Sequence, residues 1–359
     1  MGIKVDKVMK KRLLYIDVLK VISVFAMMVL HVAGSNFFAV DVTSMQWQIF
    51  NFYDSLVRFC VPVFVMCSGV VFLDNTNNIT VAKILKKYIP RIIVAFAFWS
   101  FAYAFYRLSF DIIFREQINA INLYQYVKLF FTGHYHMWFL FTIVGLYLIV
   151  PFLRLITTNK KLTEYFLLLS LIFCFFINFI TIIPQIKEIY DVYASKLHLH
   201  FFGGFSSYFV LGYYLHKNDL SKKVRVLIYA LGVTMLIFTI VGTSIISIIR
   251  NKPTTTLYEN LLPNTLFTSM AIFVFVKQAV QKRTLSNCFT KTITAISILS
   301  FAMYLTHDFF NIILSGFNFS TLNYNAILSV PIQSLIVFIL SLITAWILKK
   351  IPVLNKWIM

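Results

Sequence analysis

Apolar stretches of roughly 20 residues recur along this 359-residue chain, and a helix of that length crosses the ~30 Å hydrocarbon core of a bilayer. About ten such spans fall near residues 13–34, 52–73, 88–108, 136–156, 164–183, 203–216, 224–249, 260–280, 295–314 and 328–348. The sixth is short and accompanied by Gly203, Gly204 and Gly212. No long Pro/Gly/Ser linker, low-complexity tract or convincing internal repeat divides the array. The expected fold is therefore an all-α polytopic membrane protein of about ten transmembrane helices, forming a single domain over residues 1–359. An even number of spans leaves both termini on one side.

Charge fixes the orientation. Only 13% of the residues are charged, about half the share of a soluble domain. A net charge of +19 suggests nucleic acid only if it gathers on a solvated face; here the basic residues sit in short clusters between apolar spans. Of the 32 lysines and arginines, 23 fall on the N-terminal side and 7 on the other, with Lys20 and Arg58 inside spans. Cytoplasmic loops carry such an excess, so the residues 1–12 tail and the residues 349–359 tail are both expected in the cytoplasm. The expected location is a bacterial plasma membrane, with lipids as partners and no nucleic acid. A cleaved signal peptide does not fit, because Asp17 and Lys20 interrupt an apolar run already too long for one. Cys60, Cys67, Cys174 and Cys288 show no metal-binding spacing and are read as packing residues.

The first span carries the most demanding residues. An ionisable side chain at the bilayer centre costs at least ~2.5–3.5 kcal/mol, yet Leu13–Gly34 holds Asp17, Lys20 and His31. Asp17 and Lys20 are three residues apart and can pair on one face. His31 follows Lys20 by eleven residues, about 16 Å of helical rise, so one helix offers polar groups to both membrane faces. Asp54 and Arg58 in the second span, His134 and His136 before the fourth, and His307 and Asp308 some twelve residues into the ninth add further costly groups toward the outer face. Toward the inner face stand Lys83, Lys86, Lys87 and Arg91.

A histidine can serve as general base near neutral pH, oriented by a carboxylate such as Asp308 or Asp54. Inner cations suit a phosphate-bearing cosubstrate. Plainer readings also exist: His31 bonded to headgroups, Arg58 snorkelling outward, and the Arg91 cluster as ordinary positive-inside charge. His134 and His136 lack a carboxylate or further histidine nearby in sequence, so no metal is expected. His198 and His200 are read as solvated, and Trp138 and Tyr147 as belt and packing residues. The outer loop from about Leu108 to Tyr135 contains LYQYVKLFF, expected to lie in the membrane interface.

Several segments together carry a family resemblance. Lys20 and His31, separated by ten residues and preceded by Asp17-Val18-Leu19, resemble the first-helix signature of the membrane acyltransferase-3 family, written Arg or Lys, ten residues, His. Pro62-x-Phe64 leading to Ser68-Gly69, the basic run to Arg91, His136-Met-Trp138-Phe139-Leu140 and Ser300…Tyr304-Leu305-x-His307 are similar to its later motifs, in the same order. Lysine at position 20 is admitted by that pattern but offers no bidentate guanidinium fork.

The resemblance implies transfer of an acyl group, usually acetyl, from cytosolic acetyl-CoA to a sugar hydroxyl of a surface glycan or lipid-linked saccharide at the extracytoplasmic face. Acetyl-CoA, or another acyl-CoA, would be a donor cosubstrate rather than a permanently bound cofactor. His31 would be the general base, with Asp17 and His307 as further catalytic candidates. Lys20, Arg58, Arg91, His136 and Trp138 would bind substrates. The hydrolase-like domain that many O-acetylases of the family append is not seen, so a standalone transferase is expected. The rival from another class is a transporter or flippase, which also needs midplane charges and two-sided access.

Overall fold

The computed structural model describes residues 12–115, 120–197 and 204–357. Among them there is no strand, and nine helical segments are long and apolar enough to cross a membrane. The main helices are α1 (Leu14–Gly34), α2 (Met45–Val57), α3 (Cys60–Leu73), α4 (Ile89–Arg115), α5 (Ala120–Thr132), α6 (Trp138–Thr157) and α7 (Lys160–Ser170). They continue as α8 (Pro184–Leu197), α9 (Ser206–Lys217), α10 (Lys222–Ile249), α11 (Pro263–Gln281), α12 (Asn287–Gly316) and α13 (Ala326–Lys350). His198, His200 and most of the basic N-terminal tail lie outside the described residues.

The sixth expected span takes a different form from the other nine. α9 has only 12 residues, about 18 Å of rise, too short to cross alone. Its direction is nonetheless that of a crossing. One end lies at Gly204, whose N–H reaches Cys174 Sγ, and the other at Lys217, which pairs with Asp74 at 3.2 Å. Tyr208, Phe209 and Val210 are fully buried, so protein rather than lipid encloses this short segment, as irregular backbone at membrane depth requires. Close approach to α3 is made by glycine: Gly69 faces the Phe209 carbonyl and Gly212 faces the Met66 backbone, where a Cβ would collide. Lys277, buried in α11, donates to the carbonyls of Leu215 and His216 at 2.8 and 2.9 Å, satisfying the acceptors that a helix end leaves open.

The second span is also remodelled. It is two helices, α2 and α3, interrupted at Arg58-Phe59. Pro62 has no N–H to donate to the Arg58 carbonyl four residues back, so the α-helical ladder fails there. The segment from about Leu108 to Tyr135, expected as an outer loop, is largely helical: α4 runs on to Arg115 and α5 packs against it. α12 begins at Asn287, earlier than the expected 295, which places His307 twenty residues along it, about 30 Å.

α1 occupies the centre, against α2, α3, α11, α12 and α13. Leu19, Val24, Met28 and Val32 are fully buried there. At the periphery the pattern inverts: α10 exposes Leu227, Val233, Ile237, Val241 and Ile245, an outward apolar face suited to lipid. Sequence and structure thus agree on an all-α, multi-pass membrane protein. Cys60, Cys67 and Cys174 are buried packing residues as expected, whereas Cys288 is exposed.

Candidate active site

Three elements bring histidines together at the far end of α1. His31 lies in its last turn. His134 and His136 come from the turn joining α5 to α6, where Gly133 adopts φ +75°, a conformation that glycine reaches without steric cost. A Cβ at Gly133 would also run into the Phe96 ring. The chain then makes a tight turn, with the Met137 N–H donating to the His134 carbonyl at 2.8 Å. His307 and Asp308 come from α12. The ring centroids of His31 and His307 are 5.0 Å apart, those of His136 and His307 4.9 Å, and those of His31 and His136 6.4 Å.

Hydrogen bonds give these imidazoles different capacities. Tyr135 Oη donates to Asp308 Oδ1 at 3.0 Å, and its oxygen stands 3.1 Å from His31 Nδ1. With the tyrosine proton committed to the carboxylate, His31 Nδ1–H is the donor to Tyr135, and His31 Nε2 keeps a lone pair. His307 Nδ1 donates to the Tyr304 carbonyl at 2.7 Å. The Nε2 atoms of His307 and His136 are both buried without a hydrogen-bond partner. His31 is partly exposed, whereas His136 and His307 are buried. Of the three clustered rings, His31 alone therefore combines an oriented tautomer with an accessible nitrogen, at the end of a His–Tyr–Asp chain.

Arg58 sits beside this cluster at the α2–α3 break. It pairs with the buried Asp54 and stacks over the Tyr258 ring, 3.9 Å from its centroid, while its Nε has no partner.

A cavity of about 710 Å³ joins the two ends of the bundle, with Arg12, Lys20 and Arg91 toward one end and His31, Arg58 and His136 toward the other. A second cavity of about 800 Å³ reaches His31 and Arg58 from the Asp54, Tyr135 and Asp308 side. His31 and Arg58 thus stand where the two meet. Trp138, half-exposed, lines the first cavity and a third of about 680 Å³ that includes Asn178 and Glu259.

The expected Asp17–Lys20 pair does not form. Arg12 takes the Asp17 carboxylate through two bonds of 2.6 and 2.8 Å, and Ser297 of α12 donates to it at 2.6 Å. Asp17 therefore fastens the start of α1 to α12. It lies fourteen residues, about 21 Å, from His31 and outside the histidine cluster. Lys20 is left facing the cavity with no hydrogen bond or ion pair among the described residues, and Arg91 Nε is buried without a partner.

Of the sequence candidates, His31, His136, His307 and Arg58 converge, and Lys20 and Arg91 share the opposite end of the cavity. Asp54 is Arg58's partner; Asp308 is the carboxylate linked to His31. Tyr135 and Arg12 were not singled out. The position of Tyr135 between two histidines in the Gly133–His136 turn was the available signal.

These features define a membrane-embedded enzyme with a largely apolar passage that carries cations at one end and leads to a histidine cluster at the other. A family model described as an acyltransferase domain matches residues 13–350, nearly the whole chain, and the protein belongs to this acyltransferase-3 family. Comparison with curated proteins and with solved structures gave no match.

Proposed function

We propose that this acyltransferase moves an acyl group, acetyl in the first instance, from cytosolic acyl-CoA to a sugar hydroxyl of a surface glycan or lipid-linked saccharide on the extracytoplasmic side of the cell membrane. The observation that carries the reading is the cavity joining Lys20 and Arg91 to His31, because it lets a donor and an acceptor from opposite faces meet at one base. Lys20 and Arg91 supply unpaired positive charge for the CoA phosphates, and the extended pantetheine arm points the thioester toward His31. The acceptor enters from the cavity beside Tyr135 and Asp308, with Trp138 offering an apolar face for a sugar ring at the neighbouring opening.

In the transfer step His31 Nε2 takes the proton of the acceptor hydroxyl as its oxygen bonds to the thioester carbonyl carbon. Positive charge forming on the imidazole is shared through Tyr135 with Asp308, in the manner of a triad. Arg58 lies where it can stabilise the developing oxyanion. The C–S bond then breaks, and the departing CoA sulfur takes the proton from His31. Products are the acyl ester and free CoA.

Purified protein supplied with labelled acetyl-CoA and candidate glycans tests this reading. A positioned base contributes ~10²–10⁴-fold to rate, so His31→Ala should lose that much transfer while remaining inserted. His31→Gln should fail as well, since an amide cannot accept and return a proton near pH 7. Full turnover by His31→Gln would end the mechanism. Loss in His307→Ala alone would move the base to His307.

A further inference from the structure

The turn that presents Tyr135 also gathers a set of metal-ligand atoms. His134 Nδ1 lies 3.0 Å from His136 Nδ1 and 3.4 Å from Asp308 Oδ2, and the three residues each offer a ligand atom within 4.8 Å of the others. We propose that His134, His136 and Asp308 form a binding site for a divalent transition-metal cation, zinc or one of similar preference. The cation would cross-link the α5–α6 turn to α12 and hold Tyr135 against His31.

The spacing fits the chemistry. Imidazole and carboxylate ligands at ~2.0–2.2 Å around a tetrahedral cation stand about 3.3 Å from each other, close to the two short separations observed. Two histidines and one carboxylate leave a fourth position for water, and imidazole nitrogen favours zinc and its neighbours over magnesium or calcium. The surroundings hold the ligands in place, as outer-shell groups do in established sites. Tyr103 stacks on the His134 ring at 4.3 Å, Tyr304 Oη donates to the His136 carbonyl at 2.7 Å, and Asp308 Oδ1 is held by Tyr135 and by Asn311 at 3.0 and 3.2 Å. Asp308 therefore has one oxygen for Tyr135 and the other for the cation. Access is available from the 800 Å³ cavity, which Asp308 and Tyr135 line. The proposed cation positions Tyr135 through the two histidines that flank it in the turn.

The competing arrangement is a hydrogen-bonded group without an ion, in which one histidine donates to the other. Protein purified through a tag free of histidine, stripped with chelator and titrated with Zn²⁺ or Co²⁺ separates the two. The expected result is one equivalent bound, with ligand-field absorption from Co²⁺. His134→Ala and Asp308→Asn should each weaken binding by more than the ~10–100-fold typical of losing an outer-shell partner. His31→Ala should bind the cation as tightly as the parent while losing acyl transfer, so failure of the metal site and failure of the transfer mechanism are read separately. Absence of stoichiometric binding by the parent protein overturns the proposal whatever the variants do. Undiminished binding by both ligand variants overturns it too.

Discussion

Among the described residues, a single hydroxyl links Asp308 to His31, and Tyr135→Phe removes it while keeping the ring. The ring is largely exposed and meets His31 edge-on, with centroids 5.3 Å apart, so phenylalanine preserves the packing. What is lost is the 3.0 Å bond to a carboxylate together with the 3.1 Å contact to His31 Nδ1. A hydrogen bond to a charged group contributes ~1.5–3 kcal/mol. At 1.36 kcal/mol per tenfold, kcat should fall roughly 10- to 150-fold if the bond acts fully in the transition state. The KM for acyl-CoA should not move, because Lys20 lies about 16 Å away along α1. Initial rates with labelled acetyl-CoA, measured over a range of donor concentrations, separate kcat from KM. The same change in a His31→Ala background should have no further effect, since the hydroxyl acts through His31. An unchanged kcat for Tyr135→Phe, or the same loss in both backgrounds, would refute the relay.

Lys20→Ala and Arg91→Ala should weaken acyl-CoA binding in calorimetry without preventing insertion, while Lys20→Arg should be tolerated because charge rather than fork geometry is used there; unchanged affinity in both alanine variants would remove the inner-cation reading. Gly133→Ala should cost ~1–2 kcal/mol in thermal unfolding from its positive φ, with a loss of transfer exceeding the loss of folded protein because the histidine turn is displaced; wild-type stability would contradict the backbone argument. Cysteine labelling of intact cells should modify residues 35–51 and 316–327 and spare residues 217–225, and the reverse pattern would invert the orientation.

Nine of the crossings were readable from sequence because length and hydropathy are local properties of the chain. The sixth was less readable because α9 satisfies the membrane by being enclosed, with Gly69 and Gly212 setting the approach of two backbones; composition does not distinguish that from a short lipid-facing helix. The α2–α3 break was encoded in Pro62, four residues after Arg58, although the apolar run continues across it. Spacing also overstated one contact: three residues allow Asp17 and Lys20 to meet, but the carboxylate turns to Ser297 and Arg12, and the ammonium turns to the cavity.

The histidine cluster exposes the deeper limit. His31, His136 and His307 were each recognisable as costly groups in or beside apolar spans, yet no local spacing relates α1, the α5–α6 turn and α12. The same holds for the carboxylate that HxH spacing alone did not supply. Asp308 reaches His134 because the α5–α6 turn is held against α12, where Tyr304 Oη donates to the His136 carbonyl. His31 is the accessible member of the group because it lines both cavities. The Tyr304 carbonyl takes the His307 Nδ1 proton within α12 itself, whereas His31 must look across to Tyr135. A sequence can therefore name the ionisable groups worth explaining, while what separates His31 from His307, a ring nitrogen left open to a cavity, is set by partners that only the tertiary structure brings into reach.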